Sequence, residues 1–231
     1  MACSSLAVHA GAMDTLANKP RRAETLYLGY EGRRMASDMP AGSAPTLDGE
    51  VIHTSTRGDL VLRRIHPCDW PALRRGFAGL TAEEVRLRFL HPLTELPEAL
   101  ARKLCDIDTE HAAAFVLIDP PRPASRDASM TDGAPHATAE PEIHAVARAF
   151  IDPVTLSAEF AIVIQHELAR QGLGTLLMQR LIPECRALGA TEMWGDVLAE
   201  NTPMLDLARR LGFSRHSVYQ DPGVVRVTLP L

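Results

Sequence analysis

Six short apolar stretches punctuate the chain: Leu60-Val-Leu-Arg-Arg-Ile65, Ala112 to Ile118, Ile143 to Ile151, Ala158 to Ile164, Met193 to Val197 and Val224 to Leu229. Each has strand length, and turn residues bound several of them, which predicts strands of a sheet. In Ile143 to Ile151 the residues Ile143, Ala145, Ala147, Ala149 and Ile151 fall on one face, and Asp152-Pro153 ends the strand. Arg226 and Thr228 alternate with valines in the last stretch, which predicts an edge hairpin strand closing the sheet.

Helical spacing fills the gaps. Trp70, Leu73 and Phe77 share a face within Pro67 to Phe77. Thr81-Ala-Glu-Glu84 fits a capping box and starts a second helix, which Pro92 and Pro97 interrupt before Glu98 to Leu104 resumes. From Leu173, the residues Leu176, Leu177, Leu181 and Ile182 recur at helical spacing, while Pro183 predicts a kink or an early end. Thr202-Pro203 reads as an N-cap with proline at the first helical position, and Gly212 as that helix's stop.

Two segments lack either period. Residues 1–56 are rich in Ala, Ser, Gly, Pro and Thr and read as an N-terminal extension without fixed structure. A second such stretch, about 120–140, reads as a flexible insertion between hairpin strands. One domain, residues 57–231, is left.

A net charge of -5 gives no basic excess, so nucleic acid is not the expected partner. No apolar run approaches a membrane span, no signal peptide is evident, and cytoplasm is the expected compartment. The four cysteines and nine histidines are scattered without metal-ligand spacing, and no metal is expected.

Candidate chemistry centres on His166-Glu-Leu-Ala-Arg-Gln-Gly-Leu-Gly-Thr175, where a strand turns into a helix. A helix's first turn offers unpaired N–H groups and the positive end of a dipole, and glycine admits a phosphate close to that backbone. The competing reading is a tight turn that needs glycine for its dihedrals. Leu177 replaces the third glycine of the dinucleotide fingerprint, and no Gly-Lys-Ser or Gly-Lys-Thr follows. A pyrophosphate cradle of another type remains.

Arg170-Gln-Gly-Leu-Gly-Thr175, then Gly195-Asp-Val-Leu-Ala-Glu-Asn201 and Met204 to Phe213, resemble the acetyl-CoA-binding half of GNAT N-acyltransferases. Leu87 to Leu93, Ile107-Asp108, Ala158 to Ala161 and Asp221 to Arg226 resemble the GNAT domain of bacterial Pat-type protein lysine acetyltransferases. The resemblance covers roughly residues 58–231, in order along the chain. It implies an α/β (α+β) GNAT fold, a mixed, largely antiparallel twisted sheet of about six to seven strands flanked by about four helices. It also implies acetyl-CoA as co-substrate and, as acceptor, a lysine of a metabolic protein such as an acyl-CoA synthetase. A small-molecule amine and a non-catalytic acyl-CoA-binding regulatory module are the alternatives.

The resemblance assigns roles by position. Glu159 is the expected general base, with Asp196 in reserve. For Glu159 the competing reading is a cross-strand ion pair with Arg148. Backbone donors of Phe160, Ala161, Ile162, Val163 and Ile164 are expected to face the thioester where the strand splays from its neighbour. The backbone of Arg170, Gln171, Gly172, Leu173, Gly174 and Thr175 is expected to hold the pyrophosphate, with the Arg170 side chain adding charge. Asn201 is either a contact to the pantetheine arm or a helix cap. Ala169 departs from the family's Gln or Arg, and Ala208 from the tyrosine that many members use to protonate the departing thiolate.

Overall fold

A computed structural model describes residues 49–90, 92–120, 141–218 and 221–231. Most of the expected N-terminal extension and nearly all of the expected insertion lie outside the described residues. The described strands are β1 (Glu50–Thr54), β2 (Gly58–Arg64), β3 (Ala112–Ile118), β4 (Ile143–Ile151), β5 (Ser157–Ile164), β6 (Glu192–Leu198), β7 (Ser214–Ser217) and β8 (Val224–Pro230). The helices are α1 (Trp70–Ala78), α2 (Ala82–Phe89), α3 (Glu98–Cys105), α4 (Leu173–Ala187) and α5 (Thr202–Arg210).

One eight-stranded sheet runs in the order β1-β2-β3-β4-β5-β6-β8-β7. Every described pairing is antiparallel except β5 with β6. The expected mixed, largely antiparallel sheet with helices is therefore what forms.

Three local expectations need correction. β1 lies within the stretch expected to lack structure. Val51 and Ile52 pair across a hairpin with Val61 and Leu60, and Gly58 takes the left-handed φ of 77° that its turn requires. β8 is not an edge strand but sits between β6 and the exposed β7, whose sequence Ser214-Arg-His-Ser217 carries no apolar alternation to read. Asn201, rather than Thr202, caps α5. Its Oδ1 accepts from the Met204 N–H at 3.2 Å, so Thr202 and Pro203 fall inside the first turn.

Helices cover both faces. Ala145, Ala147, Ala149 and Ile151 of β4 join Leu177, Met178 and Leu181 of α4 in the main core. Each such leucine, wholly removed from water, contributes about 1.5–3 kcal/mol. α4 continues through Pro183 to Ala187. The proline is exposed, so the Gln179 carbonyl that loses its helical partner faces water rather than protein. Val146 and Arg148 point to the opposite face, under α1, α2 and α3, where they line a cavity of about 50 Å³ with Phe77, Phe89 and Val163. The Thr81–Glu84 capping box is formed in both directions at the start of α2. No helix among the described residues is long and apolar enough to cross a membrane.

Candidate functional site

The site begins where two strands part. β5 and β6 pair only at Ser157 with Glu192, Ala158 with Met193 and Glu159 with Trp194. Beyond that point β6 continues against β8, and β5 against β4. The opening between them is the expected splay.

Hydrogen bonds at the two ends of β5 settle which amides face it. The Asp152 N–H donates to Ser157 O, and the Gln165 N–H donates to His144 O, each at 3.0 Å. The unbroken β4–β5 register then turns the odd-numbered residues of β5 toward β4 and the even-numbered ones toward β6. Ile162 and Ile164 thus aim their N–H groups into the opening, past the last β5–β6 pair, while Phe160 flanks that pair. Ala161 and Val163 direct theirs to β4, which corrects the expectation that all five residues offer donors. Strand parity was the missing signal, and it depends on the register that β5 takes against β4.

The turn into α4 lies at the far end of β5. Gly172 caps the helix with φ 80° and has open space where a Cβ would stand, so its backbone conformation is what requires glycine. Gly174 has a different reason. A Cβ there would lie 2.9 Å from Leu207 Cδ2 and 3.6 Å from Ile164 Cδ1, so glycine lets α4 approach α5 and β5. Leu173 is buried in the core, which leaves backbone as its offering to a ligand, and Thr175 is half-buried. Arg170 is exposed and left-handed at φ 62°, and the Gln171 side chain is engaged by Ser55 and Thr56.

Glu159 stands half-buried at the mouth of the opening, with Phe150 opposite on β4 and Trp194 opposite on β6. Arg148 lies diagonally across, opposite Ala161, and its Nη2 donates to the Leu104 carbonyl at the end of α3. On the other side Asp196 pairs with Arg226. Arg226 Nε and Nη2 donate to its two carboxylate oxygens at 2.8 and 2.7 Å, and the guanidinium lies 4.0 Å from the centre of the Trp194 ring. The bonds to Asp196 push the Arg226 guanidinium above its ordinary value against the opposing effect of burial, and Glu159 adds to the rise. Asp196 therefore has both oxygens committed to Arg226. Sequence reading assigned Arg226 no role, because the β6–β8 register that brings it to Asp196 and over Trp194 has no local signature.

Asn201 serves as the cap of α5, as described above. Ala208 is buried and packed in the core, and Ala169 is exposed. Burial pushes the Cys105 and Cys185 thiols up to about 12. At pH 8 about one such thiol in 10⁴ is ionised, so iodoacetamide should label the exposed Cys68 of the folded protein and spare these two. Peptide mass mapping after a short pulse checks this, and equal labelling of Cys185 would contradict its packing.

Residues 101–213 match the acetyltransferase (GNAT) family. Over 74 residues, 32% of this chain, the sequence is 31% identical to a [ribosomal protein bS18]-alanine N-acetyltransferase of Salmonella typhimurium and 32% identical to that of Escherichia coli K12. The matched segment spans 48% of each of these relatives, about half their length. Among solved structures, the GNAT domain of an S. lividans PAT superposes with a TM-score of 0.63 at 18% identity, covering 82% of this chain and 100% of that one. RimL, a ribosomal L7/L12 alpha-N-protein acetyltransferase solved with coenzyme A, gives 0.52 at 14% identity over 79% of this chain and 98% of its own. A Sinorhizobium meliloti phosphinothricin acetyltransferase solved with acetyl-CoA gives 0.52 at 18% identity, over 74% and 88%.

Proposed function

We propose, from the match of residues 101–213 to the acetyltransferase (GNAT) family, that this chain transfers the acetyl group of acetyl-CoA to a lysine ε-amine of a protein such as an acyl-CoA synthetase. The observation that carries this reading is the opening past the Glu159–Trp194 pair, with amides directed into it, a helix N-terminus at one end and a carboxylate at its mouth. Those features suit the three demands of the reaction. Ile162 and Ile164 N–H groups face the place where a thioester oxygen would gain charge. The backbone of Gln171 to Thr175 offers the first-turn amides of α4 to a pyrophosphate.

Glu159 accepts the proton of the acceptor ammonium, directly or through a water. At neutral pH a lysine near pKa 10.4 costs roughly 4–5 kcal/mol to deprotonate, so a positioned base matters. The freed amine forms the new N–C bond as the C–S bond breaks, and the nitrogen's second proton passes through water to the departing thiolate, since Ala208 offers no hydroxyl. Direct attack is favoured over a covalent route through Cys185. Cys185 is buried and its thiol is held protonated.

A second reading has one specific support: the curated relatives are, by name, alanine N-acetyltransferases of ribosomal protein bS18. Thiol release from acetyl-CoA should therefore be followed with a folded acyl-CoA synthetase, an alanine-initiated peptide and a small diamine in parallel, with mass spectrometry locating the acetyl group. Release with the synthetase and acetyl on a lysine is the expected result. Acetyl on the peptide's α-amine would replace the first reading by the second. Turnover of the diamine alone would make the acceptor a small molecule, and binding without turnover would make the chain a non-catalytic acyl-CoA module.

A further inference from the structure

The turn of the β1–β2 hairpin reaches the loop between β5 and α4, residues 165–172, and holds it at several points. The Ser55 N–H and hydroxyl both donate to Gln171 Oε1, at 2.8 and 3.0 Å. Gln171 Nε2 donates to Thr56 Oγ1 at 2.9 Å, and the Thr56 hydroxyl donates to the Glu167 carbonyl at 3.1 Å. Arg57 Nε donates to the Glu167 carboxylate at 3.2 Å, and Arg57 Nη1 lies 3.2 Å from Nε2 of the buried His144. The loop's first residue is fixed from the same side. Gln165 Nε2 faces Gly76 O and Glu142 Oε1, so its Oε1 accepts from His144 Nδ1 at 2.8 Å.

The held loop is also a bent one. Arg170 and Gly172 both take left-handed dihedrals, at φ 62° and 80°. A non-glycine residue persists there only when its surroundings hold it. The side chain next to Arg170 is Gln171, the residue that the hairpin grips.

We infer that the Ser55-Thr56-Arg57 turn is a positioning clamp for the cofactor loop: it keeps residues 166–173 in the conformation that presents their amides to the pyrophosphate of acetyl-CoA. This deepens the proposed function and rests on it. A clamp of this kind acts by preorganisation. The ordering of the loop is completed before the ligand arrives, so loosening it weakens cofactor binding and leaves the chemical step alone.

The test is the full chain with Ser55→Ala and Thr56→Val together, which removes the three hydroxyl bonds and retains β1. Hydrogen exchange of residues 166–173 in the ligand-free protein should accelerate about tenfold. The coenzyme A dissociation constant by titration calorimetry, and KM for acetyl-CoA, should rise about fivefold with kcat held within twofold. Exchanging the hydroxyls, Ser55→Thr with Thr56→Ser, should restore both. Glu50→Ala breaks the hairpin's ion pair with Arg180 at its other end and should move neither reading. Unchanged loop exchange in the double variant overturns the clamp, as does an equal effect of Glu50→Ala. Faster exchange with unaltered coenzyme A affinity overturns its role toward the cofactor. A wild type that binds no coenzyme A overturns the acetyl-CoA reading and the cofactor role with it, and loop exchange then decides the clamp itself.

Discussion

Glu159→Gln should lower kcat/KM for the acceptor by about 10²- to 10⁴-fold while leaving acetyl-CoA affinity within twofold, the size expected when a positioned general base is removed. The substitution preserves shape and removes basicity. Glu159 sits on β5 between Phe150 and Trp194, so its backbone pairing is independent of the carboxylate. Arg226 keeps its bidentate partner Asp196 when Glu159 is neutralised, and the neighbouring cation is not stranded. Thiol release with saturating acetyl-CoA, calorimetric titration of the cofactor and a thermal melt together check the result. A melting point that falls while turnover persists would instead make Glu159 a structural cross-strand charge.

The parts of this molecule that were legible in its sequence are those governed by local pattern. The β3 and β4 bounds, the Thr81 capping box and the onset of α4 follow from apolar spacing, cap chemistry and the glycine turn at Gly172. What escaped depends on distant partners. β1 has only Val51 and Ile52 to mark it and is fixed by pairing with β2 and by Ser55 and Thr56 against Gln171, more than a hundred residues away. β7 is wholly exposed and exists because β8 offers it an edge. Gly174 could not be distinguished from Gly172 in the sequence, since its reason is the nearness of Leu207 on another helix.

The candidate site divides the same way. Glu159 and the α4 turn could be singled out as candidates because each sits in a contiguous motif. The alternation of amides along β5 was not, because it is set by which residue of β4 stands opposite. Asp196 shows the consequence most clearly. As a carboxylate on a strand entering the site it is a fair candidate for a base, and only the pairing with β8 reveals that Arg226 occupies it.

Arg226→Ala should therefore have the largest effect on stability of any single change at this site. Asp196 is 10% exposed at its side chain and Arg226 26%, so truncating the arginine strands a largely buried carboxylate. Breaking such a pair from one side costs roughly 3 kcal/mol, less than a fully buried pair because water still reaches the guanidinium. For a chain of this size that lowers the melting midpoint by about 6–12 °C. The companion variant Arg226→Met with Asp196→Leu should recover most of the loss, because it removes both charges together and fills the same volume beside Trp194. Thermal melts of the wild type, Arg226→Met, Asp196→Leu and the double variant form a closed cycle. A coupling near zero would mean that the pair contributes nothing beyond its separate side chains. A large coupling, with turnover retained in the double variant, would mean that Asp196 serves the fold as Arg226's partner and that proton transfer rests with Glu159.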